Sequence, residues 1–418
     1  MKVAETALAL VAGGCLAAVA HTYVLFPALL TWLTRAPRAA PATYGAPDEA
    51  DGAGGADAAA LPAVAVLLAA YNEEQVLEEK IRRTFATAYP AGHFTLIIGS
   101  DASTDATDAI IGRLQAEYGA QRLHLRRFAA RTGKTQIINA LAAAATAPVL
   151  VLTDANVFFA PDTLFQLVKY FADPAVGLVG GNILNEEVRR EGISVQEKAY
   201  LLRENRMKHQ EGVVWGAMMG AFGGCFAIRR GAFRPVPPTY LVDDFFLSMQ
   251  VLADGWRALN ALEAVAYEDV SNELREEFRR KVRIATGNFQ NLRHFRRLLW
   301  PPWPGRAAGL GFAFWSHKVL RWVTPHLLLT LLFVTLGGVA LSEAGTITGG
   351  LWRLLLAGQL AVPALLGLDR VLRRAGIHNH LLRFITHFYA MNAALLRGWW
   401  RSRKEITTSV WTPTRRYQ

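Results

Sequence analysis

The chain has 418 residues, a mean hydropathy of +0.18, a formal net charge of +11 and a pI near 9.8. That length holds one or two domains with a real core, and an apolar content of 52% is high for a soluble protein. Two cysteines, Cys15 and Cys225, exclude a disulfide framework and a thiolate metal site, and no zinc finger or other common nucleic-acid motif accompanies the basic charge.

The apolar excess is uneven, concentrated in residues 5–33 and 308–397. Residues 1–33 read as an N-terminal transmembrane helix, since about 20 apolar residues span a bilayer. A cleaved signal peptide competes, but its apolar region is usually shorter. Residues 34–60 are rich in Ala, Pro, Gly and Asp and read as a flexible linker. A globular domain is expected over 61–272.

In that domain apolar runs alternate with helical patterns. Strands are predicted at Val64–Ala70, Phe94–Ser100, His124–Phe128 and Val149–Thr153, with helices over Glu74–Tyr89, Ile110–Tyr118 and Lys134–Ala145. This order implies an α/β domain with a mostly parallel sheet, whose ligands bind beyond the strand C-termini. Later elements are expected as strands at Gly177–Asn182 and Gly223–Arg229 and helices at Ile193–Gln210 and Asp244–Asp254. Residues 273–322 mix Arg with apolar residues and suit interfacial helices. Residues 323–398 hold the C-terminal membrane helices, with spans near 323–343 and 350–369. The basic link Arg370–Arg374 then places the catalytic region in the cytoplasm, by the positive-inside bias. Residues 379–398 either span or tilt within the interface, and a basic tail covers 399–418.

The chemistry-bearing residues follow the strands. Ala70-Tyr71-Asn72-Glu73-Glu74 offers a ring to stack on a base and polar groups for uracil or ribose, though an Asn at a helix start also caps. Asp101 can accept the imide N–H of uracil, while Asp105 reads as a helix cap. Lys134, after Gly133, can meet phosphate or ribose, but the glycine frame of a P-loop is missing. Asp154 and Asn156 lie two apart and can address one Mg²⁺ or Mn²⁺ on a diphosphate; an Asx turn is the plainer alternative. Asp243 and Asp244 can supply a base for an acceptor hydroxyl, or cap the following helix. Arg280 and Arg283 can clamp a leaving diphosphate, with lipid headgroups as equal competitors.

Taken in order, these motifs resemble a membrane-embedded family 2 glycosyltransferase of GT-A fold, the group of cellulose, chitin, hyaluronan and poly-N-acetylglucosamine synthases. The resemblance implies an inverting hexosyltransferase using a nucleotide-sugar, expected to be a UDP-sugar, and a divalent cation. It places Tyr71, Asn72, Glu73, Asp101 and Lys134 around the nucleoside, and Asp154 with Asn156 at the metal. It makes Asp244 the base with Asp243 in support. Trp411 and Arg415 fall in a segment resembling one that closes over the donor; that likeness would make the C-terminus cytoplasmic and residues 379–398 interfacial.

Two departures stand out. Asp154-Ala155-Asn156 replaces Asp-x-Asp, and Arg280-Lys281-Val282-Arg283-Ile284 lacks the Gln and Trp of the processive motif. The resemblance to polymer synthases leans toward a growing polysaccharide as acceptor, while the altered Arg280–Ile284 motif and the few membrane helices favour a lipid or short acceptor. The alternatives are transfer of one or a few sugars to a lipid or short acceptor, and a non-catalytic scaffold. Expected partners are the nucleotide-sugar, the acceptor, the membrane and export or accessory subunits, with no nucleic acid. The expected location is a bacterial inner membrane.

Overall fold

The computed structural model describes residues 2–46, 61–185, 194–268, 274–300, 306–343, 345–377 and 379–410. In chain order the elements are α1 (Lys2–Ala20), α2 (Phe26–Leu33), β1 (Val64–Ala70), α3 (Leu77–Phe85), β2 (Phe94–Asp101), α4 (Thr107–Tyr118), β3 (Leu123–Phe128), α5 (Lys134–Ala144), β4 (Val149–Thr153), β5 (Val157–Phe159), α6 (Thr163–Val168) and β6 (Val176–Asn185). There follow α7 (Ser194–Trp215), β7 (Cys225–Arg229), α8 (Asp243–Ala253), β8 (Arg257–Glu268), α9 (Leu274–His294), α10 (Arg306–Ala313), α11 (Leu320–Leu341), α12 (Ile347–Arg374) and α13 (His380–Ser402).

Eight strands form one sheet in the order β3-β2-β1-β4-β7-β6-β8-β5. The β3-β2-β1-β4 half is parallel, as its alternation with helices requires. The other half is mixed: β7 runs antiparallel to β4 and β6, and β5 antiparallel to β8. All seven residues of β1 are buried, which explains its uninterrupted Val-Ala-Val-Leu-Leu-Ala-Ala run. After β3 the chain returns to β4 on the far side of β1. That reversal opens a crevice beyond the carboxyl ends of β1 and β4, where Tyr71 and Asp154 emerge.

Among the described residues three helical stretches are long and apolar enough to cross a membrane: Lys2–Leu33, Ala308–Leu341 and Ile347–Arg374. Trp352 seats against Gly338, where a Cβ would lie 2.3 Å from the indole, so α11 and α12 meet closely. α13 is not among those three stretches. It packs along α9, and a Cβ on Gly398 would fall 2.4 Å from that of Ala285, so only a glycine allows this crossing. Buried Asp369 on α12 takes Thr386 Oγ1 at 3.1 Å and faces Arg383 at 3.7 Å, fastening α13 to α12. Both cysteines are buried and unpaired.

Candidate active site

The loops after β1 and β2 are tied to each other. Asn72 and Ala102 both adopt left-handed backbone, at φ +53° and +56°, which non-glycine residues rarely hold. Asn72 fixes the pairing: its Oδ1 accepts from Thr104 N at 2.8 Å and its Nδ2 donates to Thr104 Oγ1 at 3.2 Å. Glu73 N donates to Thr107 Oγ1, and Asp105 caps α4 by accepting from Thr107 N at 3.0 Å. Asp101 is wholly buried. Its oxygens accept from Thr132 N at 2.5 Å, from Gly133 N at 3.1 and 3.3 Å and from Arg131 Nε at 3.1 Å. In the structure it therefore holds the Arg131–Gly133 loop instead of facing an open pocket. The Arg131 guanidinium sits 3.2 Å from the Tyr71 ring centroid, on the stacking face expected for a base.

Lys134 opens α5 and joins the two aspartate clusters. Its Nζ contacts Asp154 Oδ1 at 2.6 Å and Asp243 Oδ2 at 3.8 Å. Burial opposes its charge, but Asp154, Asp243 and Asp244 hold its ammonium above the usual lysine range. Burial would likewise push the Asp154 carboxyl up, yet Lys134, with Lys80 and Arg283 behind it, keeps it below its ordinary value. Lys80 was not anticipated from sequence. It is fully buried under this corner, donating to Thr153 Oγ1 at 2.7 Å and to the Val157 carbonyl, against the Phe159 ring.

Asp243 and Asp244 start α8. Burial, and then the neighbouring Asp243, push the Asp244 carboxyl up to about 6. Its Oδ1 accepts from Phe245 N at 2.6 Å. A Cβ on Gly223 would lie 2.8 Å from its Oδ2, so the turn before β7 needs glycine for this carboxylate to sit where it does. Ser248 ties α8 to that turn, donating to the Asp244 carbonyl at 2.7 Å and accepting from Ala221 N at 2.9 Å.

α9 holds the loop that delivers the aspartates. Gln290 accepts from Leu241 N and donates to the Thr239 carbonyl, Asn291 donates to the Val242 carbonyl, and Arg283 donates to the Leu241 carbonyl at 3.4 Å. Burial lowers the Arg283 guanidinium, with Asp243, Asp154 and Asp244 opposing that shift, so its charge is directed at the site. The expected pairing of Arg280 with Arg283 does not form around those carboxylates. Arg280 lies instead 3.6 Å from Glu277 and 3.8 Å from Glu268. Glu268 in turn accepts from Asn156 Nδ2 at 3.2 Å.

Among the described residues no three His, Cys, Asp or Glu side chains gather into a metal cage. Asp154 and Asn156 present oxygen donors, and a hard cation held mainly by diphosphate and water needs only one or two of these from the protein. The donor set therefore fits Mg²⁺ or Mn²⁺ bound together with a diphosphate. Trp411 and Arg415 lie outside the described residues. The tail leading to them reaches the site: Ser409 is buried, and its Oγ would stand 3.0 Å from a Cβ on Gly133.

Comparison with known proteins agrees with the fold. Residues 65–236 match the profile of Glycosyl transferase family 2. Beta-monoglucosyldiacylglycerol synthase of Synechocystis sp. is 25% identical over 290 residues, covering 66% of this chain and 59% of that protein. An N-acetylglucosaminyltransferase of Rhizobium leguminosarum is 22% identical over 243 residues, covering 55% and 57%. The chain thus spans less than two thirds of these relatives' lengths. The mannosyltransferase PcManGT of Pyrobaculum calidifontis, solved with GDP-Man and Mn²⁺, superposes with a TM-score of 0.68 over 94% of this chain and 99% of its own, at 22% identity.

Proposed function

We propose that this chain, which carries a family 2 glycosyltransferase domain of GT-A fold, moves a sugar from a nucleoside-diphosphate sugar to a hydroxyl on a lipid or short acceptor at the membrane. The observation that carries the reading is Lys134. One ammonium bridges Asp154, at the mouth of the strand crevice, and Asp243, beside the raised carboxyl of Asp244. Donor-side and acceptor-side carboxylates thereby share one site.

In this reading Asp244 takes the proton of the acceptor hydroxyl. The oxygen attacks the anomeric carbon, the bond from that carbon to the diphosphate breaks, and the configuration inverts. Lys134 and Arg283 offset the charge that grows on the departing diphosphate. Tyr71, Asn72, Glu73 and Asp101 form the nucleoside side, Asp101 by shaping the Arg131–Gly133 loop. Mg²⁺ or Mn²⁺, held by Asp154 and Asn156, would add Lewis-acid charge at the diphosphate. Trp411 and Arg415 would extend the Ser409 tail over the donor.

The acceptor reading departs from the polysaccharide lean of the sequence. Similarity to a synthase of a glucosylated diacylglycerol supports a lipid. Ile284 stands where a processive enzyme carries its acceptor-stacking Trp, and only three helices qualify as spans among the described residues. The catalytic domain would face the cytoplasm of a bacterial cell. The test is the purified full chain with native lipid, a panel of UDP- and GDP-sugars, and Mg²⁺ or Mn²⁺, with products sized by mass. One or a few sugars on a lipid is the expected result. A ladder of long products would restore the polymer reading, and no nucleotide release with any donor would leave a scaffold.

A further inference from the structure

The metal position departs from Asp-x-Asp at Asn156, and β8 supplies a reason. A tight turn joins β4 to β5: Val157 N donates to the Asp154 carbonyl at 3.2 Å, with Ala155 buried inside the turn. β5 then runs antiparallel to β8 with Val157 opposite Glu268. That register sets the Glu268 carboxylate beside Asn156, whose Nδ2 donates to its Oε1 at 3.2 Å. The glutamate side chain is 18% exposed, and the Arg280 guanidinium stands 3.8 Å away.

An amide side chain has a donor end and an acceptor end, and a hard cation binds only the acceptor end. An ionised carboxylate can only accept. Glu268 therefore takes the nitrogen of the Asn156 amide, which turns its Oδ1 away from β8. No donor among the described residues meets that Oδ1. Burial pushes the Glu268 carboxyl up, and Arg280 opposes that shift. An aspartate at position 156 would face Glu268 with no hydrogen between two carboxylates, and like charges at that range repel. Asp-x-Asn is the form of the motif that a glutamate at position 268 tolerates.

We propose that Glu268 is a positioning residue of the metal site. It holds the Asn156 amide with its oxygen toward the cation, and it is the reason that this position is neutral. Arg280 then serves as the counter-ion of Glu268 and not as a diphosphate clamp. This rests on the metal-bearing donor site of the reading above.

The test is Mn²⁺ binding, followed by the electron paramagnetic resonance of the free ion. It uses the full chain in detergent with UDP or GDP and no sugar donor, at about pH 8, well above the ordinary carboxylate range. Glu268→Gln, Asn156→Asp and the two together form a double-mutant cycle with the wild type. In the wild-type background Glu268→Gln should weaken Mn²⁺ about tenfold, because a glutamine can turn its own NH₂ toward Asn156 Oδ1 and compete with the cation. In the Asn156→Asp background the same change should strengthen Mn²⁺ about tenfold, because it removes the opposing carboxylate. A structural role for Glu268 would weaken binding by similar factors in both backgrounds. That result, or unchanged Mn²⁺ binding in Glu268→Gln, would overturn the proposal. Thermal unfolding in the same detergent checks that each variant is folded. Asn156→Asp alone still decides if Glu268→Gln does not fold: with Glu268 in place it should bind Mn²⁺ no tighter than the wild type, and severalfold tighter binding would refute the pairing. No Mn²⁺ binding by the wild type with either nucleotide would also overturn the proposal, leaving sugar transfer to be judged by the donor panel. The reversal of sign without transfer from any donor would sink the glycosyltransferase reading alone.

Discussion

Asp244 gives the sharpest prediction, because one group should govern both a rate and a stability. Its carboxyl titrates at about 6 against an ordinary 3.8. As a base it works only when ionised, so kcat/KM should rise tenfold per pH unit below about 6 and level above it; at about pH 5 roughly a tenth of the plateau remains. For stability the sign is opposite. The folded state holds this proton more tightly than the unfolded chain, so the contribution is complete below about pH 4 and is lost as pH rises through about 6. A difference of roughly two units corresponds to about 3 kcal/mol by about pH 8. Asp244→Asn keeps an oxygen for Phe245 N and has no charge to bury. It should lose about 10²- to 10⁴-fold in turnover and the acid limb with it, yet melt higher than the wild type at about pH 8 and equally at about pH 4. Nucleotide release across pH measures the first, and thermal unfolding in detergent the second. An acid limb near 6 that survives in Asp244→Asn would refute the assignment.

Gly223→Ala places a Cβ 2.8 Å from Asp244 Oδ2, so the carboxylate must turn away; kcat/KM should fall by about tenfold to a hundredfold, with the thermal midpoint nearly unchanged. Comparing kinetics with a melting curve checks it, since a folding defect would lower both. Glu204→Gln removes the charge that His317, Lys318 and Arg321 share, and should cost about 3–5 kcal/mol of stability. An unchanged melting temperature in the same detergent would mean that these cations find other partners.

How much of this was legible in the sequence depends on whether a residue's partner lay nearby in the chain. Uniform apolar runs such as Val64–Ala70 and Val149–Thr153 match the observed strands to the residue, because strands buried on both faces leave no other reading. β8 went unseen: Arg-Ala-Leu-Asn-Ala-Leu-Glu-Ala is poor in β-branched residues, and only its seat between β6 and β5 makes it a strand. Missing β8 hid Glu268, and with it the reason that Arg280 turns from Arg283. The motif residues themselves were visible, yet their partners were not. Asp101 faces the loop of Arg131–Gly133, some thirty residues on, and its engagement there is a tertiary fact. Lys80 sits in an ordinary amphipathic helical pattern, and nothing local marks it as buried instead of solvated.

The arrangement also explains why acceptor choice should belong to the membrane helices. In the proposed reading the donor side is built on sheet ends, where β1, β2 and β4 fix Asn72, Asp101 and Asp154. The acceptor side has no such frame. Asp243 and Asp244 follow an irregular loop, 239–242, that is held by Arg283, Gln290 and Asn291 of α9. α9 is clasped by α13, and α7 is locked to the first turns of the 308–341 span by Glu204 and Glu211. A shift of those helices in the bilayer would therefore move Asp244 while leaving Asp154 in place. Substitutions among the helices should change which acceptor is used before they change which nucleotide is bound.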